Sequence, residues 1–158
     1  MEEVRFFRRG TYFQFSNFYV SPIAIADREY PTVEHFFQSS KFRYIGASER
    51  ELNYAEHIRT LPTALEAYRA GRSRQFKIDP EWERVKDDIM EYAVWIKFST
   101  HPDLKRLLLE TGSKKIIENS PYDSYWGIKT KNGRPGLNKL GQILEQTRER
   151  LRNLMKEV

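Results

Sequence analysis

The stretch that decides the fold is Tyr30–Phe42, which reads YPTVEHFFQSSKF. Thr32 is a favoured N-cap residue and helix-compatible residues follow it, so we expect a helix to begin there. In that helix Glu34, Gln38 and Lys41 are spaced i, i+4 and i+7, which places them on one face. Aromatic residues flank this face, which therefore has the composition of a polar pocket lining. The same spacing also fits a solvated helix surface, with Glu34 stabilised by the positive helix N-terminus.

Helices dominate the predicted secondary structure on both sides of this segment. A short strand is expected at Arg5–Phe7, a hairpin at Ile23–Tyr30, and another short strand at Lys115–Glu118. A second helix is predicted at Ser48–Ile58, with a capping box to Glu51. A third has Pro62 at its first position and Gly71 at its end. Three more are predicted, one starting at Asp79-Pro80, one between His101 and Gly112, and a terminal one at Leu140–Leu154. The sequence thus predicts a mainly α fold with a minor α+β component.

Length and composition limit the class of protein. The chain has 158 residues, of which 39% are hydrophobic and 14% aromatic, so it is long enough for a core and is not intrinsically disordered. We therefore expect one domain over residues 1–158. The absence of cysteine excludes disulfides, thiolate metal sites and a cysteine nucleophile. No apolar run reaches the length of a membrane span and no signal peptide is evident, so we expect a cytoplasmic protein without a membrane partner.

Metal and cofactor chemistry finds little support in the sequence. The three histidines, His35, His57 and His101, are scattered without the spacing of metal ligands. No glycine-rich phosphate loop and no serine in a nucleophile elbow occurs. We predict neither a metal nor another cofactor.

Positive charge is concentrated at the C-terminal end. From Lys129 onward there are eight basic and three acidic residues, which accounts for the whole net charge of +5. Such a segment can contact nucleic acid or a phosphorylated ligand, or it can simply solvate a terminal helix. A second, smaller basic group is the pair of arginines in Gly71–Gln75, beside a predicted helix end.

One lysine and two acids stand in aromatic surroundings and can carry chemistry. A lysine such as Lys41 can be a nucleophile toward an aldehyde carbon when partial burial lowers its pKa. Carboxylates such as Glu34 and Asp123 can protonate a leaving group or activate water at a sugar anomeric centre. The rings of Phe18 and Trp126 can stack on a base or a sugar, although Trp126 equally fits a core tryptophan.

A series of short motifs then points to a known family. They are Phe15-Ser16-Asn17-Phe18, Tyr30–Gln38, Lys41-Phe42, Gly71-Arg72, Lys97-Phe98, Asp123 with Trp126-Gly127, and Asn138–Gly141. In this order they resemble the NADAR superfamily, including its YbiA-like members, and the resemblance runs from about Phe6 to Arg152. It implies a compact, mainly helical domain with short strands, and hydrolysis of the N-glycosidic bond of ribosylated or ADP-ribosylated bases.

The resemblance also implies roles for individual residues. Lys41 corresponds to the lysine that attacks the anomeric carbon and forms a Schiff base, and Glu34 and Asp123 are its acid/base partners. Residues expected to hold ribose, phosphate or base are Asn17, Arg72, Trp126 and Asn138, and Phe18 and Gln38 complete the predicted substrate-binding set.

Three functions fit this set of residues. The first is hydrolysis of a small phosphorylated ribosyl substrate, such as a ribosylaminopyrimidine phosphate of riboflavin biosynthesis. The second is an ADP-ribosyl-guanine glycohydrolase that removes ADP-ribose from nucleic acid. The third is a non-catalytic module that binds ADP-ribose or nucleic acid. The sequence leaves the oligomeric state undetermined.

Overall fold

The computed structural model describes residues 2–157, which form two compact units. The central unit runs from Asn17 to Lys97, and the terminal unit combines the chain up to Ser16 with the chain from Phe98 onward. In chain order the elements are β1 (Glu3–Phe6), a 3-10 turn (Phe13–Phe15), β2 (Ile23–Ile25), β3 (Arg28–Tyr30), α1 (Val33–Ser40), α2 (Glu49–Arg59), α3 (Ala64–Ala70), α4 (Trp82–Thr100), α5 (Pro102–Glu110), β4 (Lys115–Glu118) and α6 (Lys139–Lys156). The predicted mainly α fold with short strands is confirmed, and the single domain expected over the whole chain stays a prediction.

Helix α1 begins where the sequence predicts. The Thr32 hydroxyl accepts a hydrogen bond from the backbone N–H of His35 at 3.1 Å, which caps the helix. The N–H of Glu34 donates to the carbonyl oxygen of Asn17 at 3.1 Å, so the preceding loop satisfies a second N-terminal donor. Both Glu34 and Gln38 are buried, with 6% and 4% exposure. The alternative of a solvated helix surface is therefore wrong for these two side chains.

Two of the predicted helix starts need correction in detail. Ser48 is the N-cap residue of α2, but its hydroxyl bonds the carboxylate of Glu51 directly and caps no backbone N–H. Helix α3 starts one residue after Thr63, which forms the full capping box with Glu66, so Pro62 lies outside the helix. Thr63 is the N-cap of α3 because its hydroxyl accepts a hydrogen bond from the N–H of the third helical residue, Glu66. Proline has no side-chain acceptor for this bond.

Packing in the central unit joins α1, α2 and α3. Phe42, Ala55, Ile58 and Ala67 form a buried cluster there. Phe76, from the segment between α3 and α4, stacks on Tyr54 with ring centroids 3.8 Å apart. Burial of these apolar side chains anchors the α3–α4 segment, which carries the two arginines at 72 and 74.

The terminal unit is built on a two-stranded parallel sheet. Strands β1 and β4 pair in the register Val4↔Ile116, and helices α5 and α6 pack in the same unit. Gly141 of α6 lies against β4 so closely that a Cβ there would be 2.1 Å from the carbonyl oxygen of Ile116. Glycine is therefore required at this contact. In residues 2–157 no helix combines the length and the apolar character needed to cross a membrane.

Lys97, in the last turn of α4, is a deeply buried ionisable side chain of the central unit. It is 1% exposed and its Nζ lies 5.6 Å from the centroid of the Tyr19 ring. Burial lowers the pKa of Lys97 from 10.5 to about 7, because a charged ammonium is poorly solvated in the core.

This burial predicts a pH-dependent stability. Between pH 7 and 10.5 the unfolded chain holds a proton on Lys97 that the folded chain has released, so the free energy of unfolding rises with pH across this window. The slope due to this group is at most about 1.4 kcal/mol per pH unit. We expect Lys97→Met to remove this part of the slope in denaturant titrations at about pH 7, 8 and 9.

The matched control is Lys77→Met, because Lys77 is exposed and its bonds in the structure are made by its backbone. Its pH slope should equal that of the wild type. An unchanged slope in Lys97→Met would show that Lys97 is solvated and charged in the folded chain.

Candidate active site

The Lys41 side chain lines a cavity that is formed entirely by residues of the central unit. The cavity has a volume of about 350 Å³. It is formed by the end of α1, the segment after α3 and the start of α4, through Lys41, Gly71, Arg72, Ser73, Arg74, Phe76, Ile78, Trp82 and Glu83. A cavity of this size is at the lower end of the range found for small-molecule sites.

The environment of Lys41 makes its amine more reactive than that of a surface lysine. Burial lowers the pKa of Lys41, the Glu34 carboxylate opposes this shift, and the positive charges of Arg72 and Lys86 reinforce it. The ammonium donates to the carbonyl oxygen of Gly71 at 3.3 Å. It also lies 5.9 Å from the centroid of the Trp82 ring. A larger fraction of neutral, nucleophilic amine is therefore present near neutral pH.

Glu34 is held in place through Gln38 and Gly71. The Gln38 Nε2 donates to Glu34 Oε1 at 2.7 Å, one helical turn away on α1. A Cβ on residue 71 would be 1.9 Å from Gln38 Oε1, so only glycine leaves room for this amide. Gln38 Oε1 itself is buried and has no hydrogen-bond partner among the described residues. The amide therefore orients the acid from inside the protein, while its role as a substrate contact stays a prediction.

Three further predicted binding residues lie in the central unit. The Arg72 guanidinium donates to the Tyr68 hydroxyl at 3.3 Å and lies 5.4 Å from the centroid of that ring. Phe18 also packs against Tyr68, and the two ring centroids are 6.1 Å apart. Asn17 is buried, and its amide nitrogen lies 3.4 Å from the sulfur of Met90. The central unit thus brings Arg72, from the segment after α3, near Lys41 at the end of α1.

Asp123 and Trp126 lie in the terminal unit, in the loop that follows β4. Asp123 Oδ1 accepts the backbone N–H groups of Tyr125 and Trp126 at 2.8 and 2.7 Å, which shapes the loop as an Asx turn. Trp126 is half-buried, and its ring packs edge-on against Tyr125 at 4.8 Å. The structure gives both residues a part in the loop, and their catalytic and binding roles stay predictions.

Asn138, the last of the predicted binding residues, bridges α6 and β4. Its Nδ2 donates to the carbonyl oxygen of Ile116 at 2.9 Å, and its Oδ1 accepts the N–H of Glu118 at 3.0 Å. Asn138 has a left-handed backbone with φ of 53°, which asparagine tolerates better than most residues. These contacts explain its presence structurally, so ligand binding by Asn138 stays a prediction.

The sequence analysis missed several side chains of the cavity, among them Trp82 and Arg74. Trp82 reads as part of the apolar face of α4, and it is indeed 5% exposed, yet it also lines the cavity beside Lys41. Arg74 stood out only as one of two arginines near a helix end. Periodicity identifies which residues are buried but not which of them border a cavity, because that depends on contacts with other segments.

Comparisons with known proteins show which family this chain resembles. Residues 5–152 match the NADAR domain family. The chain is 40% identical over 141 residues to the N-glycosidase Npun_R5314 of Nostoc punctiforme, covering 89% of this chain and 86% of that one. It is 38% identical over 140 residues to the N-glycosidase YbiA of Escherichia coli, covering 89% and 82%.

A solved structure and a plant relative extend the comparison. The NMR structure of E. coli YbiA superposes with a TM-score of 0.83 at 34% identity, over 100% of this chain and 90% of that chain. The maize chloroplastic protein PYRR, named as a riboflavin biosynthesis protein, is 38% identical over 150 residues, which are 87% of this chain and 23% of that protein. On the match to nearly all of its length, this chain belongs to the NADAR domain family.

Proposed function

We propose that this protein is an N-glycosidase that hydrolyses the N-glycosidic bond of a small phosphorylated ribosyl substrate through Lys41. The observation that carries the proposal is the half-buried Lys41 amine, with its lowered pKa, at the wall of a cavity of about 350 Å³. The enzyme class, a hydrolase of N-glycosyl compounds, follows the N-glycosidase names of the Nostoc and E. coli relatives.

The reaction begins with the neutral amine of Lys41. Its lone pair forms a bond to the anomeric carbon of the ribose while the bond from that carbon to the base nitrogen breaks, and the departing nitrogen takes up a proton from a carboxylic acid. Opening of the ribose ring turns the carbon–nitrogen bond to Lys41 into a Schiff base. Water then adds to this carbon and releases the sugar and the free lysine, so one water is consumed for each bond cleaved.

Glu34 is the first candidate for the acid/base role. It is buried on the same helix face as Lys41, and its charge acts on the pKa of the lysine. The amide of Gln38 fixes one carboxylate oxygen, which restricts the orientation of the other. Asp123 is the second candidate, because the resemblance assigns it this role and its loop holds the carboxylate in one orientation.

The substrate is a ribosylated base in this proposal. The cavity is at the lower end of the size range of ligand sites, which favours one phosphorylated pentose over a dinucleotide. The riboflavin biosynthesis name of the maize relative supports a ribosylaminopyrimidine phosphate as the substrate.

Replacement of Lys41 tests the nucleophile. Lys41→Arg and Lys41→Ala should both lose turnover, since a guanidinium stays protonated and cannot form an imine and alanine has no amine. For the wild type, kcat/KM should rise with pH through the lowered pKa of Lys41, because only the neutral amine attacks. The measurement is release of the free base from a ribosylaminopyrimidine phosphate, followed by mass spectrometry.

The control is Lys77→Arg, which keeps the positive charge at an exposed position outside the cavity lining, so its turnover should equal that of the wild type. Turnover of Lys41→Arg within a few fold of the wild type would contradict the nucleophile assignment. Tight binding of ADP-ribose or nucleic acid by a wild type that never turns over would make the protein a binding module.

Removing either acid should slow the reaction and leave the fold intact. Glu34→Gln and Asp123→Asn should each lower kcat by about two to four orders of magnitude, the usual contribution of a general acid or base. Asp123→Asn is informative because an asparagine carbonyl can still accept the two loop N–H groups. Thermal unfolding is measured alongside kcat, and a normal rate in one variant would assign that residue a structural role only.

ADP-ribosylated nucleic acid is the second candidate substrate, favoured by an exposed basic turn. Lys129, Lys131 and Arg134 are exposed in the terminal unit, where the N–H of Lys131 donates to the carbonyl oxygen of Arg134 at 2.8 Å and closes the turn. Lys139 follows, with its Nζ 5.8 Å from the centroid of the Tyr125 ring. Such a surface can neutralise phosphates of a polymer.

Charge reversal of these four residues to glutamate separates the two substrates. With the small substrate we expect kcat/KM to change less than about threefold, since no counterions of a polymer are released. The measurement is kcat/KM against salt for both substrates, in the wild type and the variant. A steep salt dependence that occurs only with ADP-ribosylated DNA, and that the variant loses, would favour the nucleic-acid substrate instead.

A further inference from the structure

We propose that Arg72, Ser73 and Arg74 form a subsite for a phosphate on O5 of the ribose. The proposal deepens the proposed function and rests on it, because the same ribose presents its anomeric carbon to Lys41. All three residues line the cavity that contains Lys41. The bound group is a phosphate ester of a pentose, whether it comes from a pentose 5-phosphate or from the ribose of ADP-ribose.

The segment that carries these residues is anchored on both sides. It begins at Gly71, whose N–H donates to the carbonyl oxygen of Ala67 at 3.0 Å. Beyond Arg74, Phe76 is stacked between Tyr54 and the guanidinium of Arg50, which is 4.4 Å from the ring centroid. Two more bonds hold the segment, because the N–H of Asp79 donates to the carbonyl oxygen of Lys41 at 2.7 Å and the N–H of Lys77 to Glu51 Oε2 at 3.3 Å. A subsite on this segment is therefore largely preformed.

Three consecutive side chains can donate hydrogen bonds to an anion. The Arg72 guanidinium is oriented by the hydroxyl and the ring of Tyr68. The Ser73 hydroxyl accepts the N–H of Gln75 at 3.2 Å, which leaves its own proton for another acceptor. The Arg74 guanidinium is exposed and forms neither an ion pair nor a hydrogen bond among the described residues. Guanidinium groups match phosphate oxygens in geometry as well as charge.

The charges of the lining favour an anion. Its basic residues are Lys41, Arg72 and Arg74, whereas Glu83 is its one acidic residue. Glu83 already pairs with Lys86 at 2.5 Å. The positive charges of Arg72 and Lys86 lower the pKa of Lys41, so they stand close enough to the amine to act on a ligand there as well. A phosphate would compensate this excess of positive charge.

Reductive trapping measures the subsite without knowledge of the natural base. The aldehyde of an open-chain sugar condenses with the neutral Lys41 amine to an imine and water, and added cyanoborohydride transfers hydride to the imine carbon to give a stable secondary amine. The probes are ribose, ribose 5-phosphate and ADP-ribose, whose distal ribose also has a free aldehyde form. Intact-protein mass spectrometry gives the rate of adduct formation, and peptide mapping identifies the lysine.

The variant is Arg74→Gln and its matched control is Arg69→Gln, because Arg69 is exposed on α3 outside the cavity lining. Losing one charge-assisted hydrogen bond should slow trapping of ribose 5-phosphate about tenfold or more. Trapping of ribose should not change, and Arg69→Gln should match the wild type with both sugars. Equal sensitivity of ribose 5-phosphate and ADP-ribose would show that the subsite reads the phosphate on O5 alone.

A binding experiment keeps failure of the subsite distinct from failure of the nucleophile. Ribose 5-phosphate is titrated into Lys41→Gln by calorimetry, with and without the Arg74→Gln change, because this binding needs the subsite but no imine. Arg74-dependent binding without any Lys41 adduct in the wild type would uphold the subsite and overturn the proposed mechanism. A Lys41 adduct and a binding affinity that are both independent of Arg74 would overturn the subsite and uphold the mechanism.

Discussion

The contact between Gln38 of α1 and Gly71 at the end of α3 is the constraint on which the candidate site depends. A Cβ at position 71 would overlap the Gln38 amide, so any side chain there would displace this amide. The Gln38 amide in turn donates a hydrogen bond to Glu34, and the carbonyl oxygen of Gly71 accepts a hydrogen bond from the ammonium of Lys41. One close approach of two helices therefore determines the positions of both the acid and the nucleophile.

The same arrangement accounts for the reactivity of Lys41. The pKa of Lys41 is lowered, because helix packing removes part of the water around its ammonium group and two cations lie nearby. The Gly71 carbonyl oxygen and the aromatic ring of Trp82 compensate only part of the lost hydration. The Glu34 carboxylate opposes the lowering of the Lys41 pKa. The balance leaves Lys41 with a pKa below that of an ordinary lysine, so its neutral form is easier to reach.

Aromatic packing supports the segment that carries Arg72 and Arg74. Tyr54 and Phe76 stack on each other and pack against the buried cluster of the central unit, and the Arg50 guanidinium lies over the Phe76 ring. The Tyr54 hydroxyl also donates to the carbonyl oxygen of Ala70 at 2.7 Å. Burial of these rings stabilises the unit and at the same time fixes the start and the middle of the segment that carries Arg72 and Arg74. Stability and the shape of the cavity thus come from the same contacts.

Local sequence patterns were enough to predict the helices, the short strands and the polar face of α1, because caps, breakers and hydrophobic periodicity act within a few residues. Thr32 and the spacing of Glu34, Gln38 and Lys41 are sufficient for that, and the motifs identified the family. Three features came from the packing of the folded chain: Glu34 and Gln38 are buried, a Cβ on Gly71 would overlap Gln38, and Trp82 and Arg74 border the same cavity as Lys41. Burial, close approach and cavity lining arise from contacts between segments far apart in the chain, and no local pattern encodes which segments will meet.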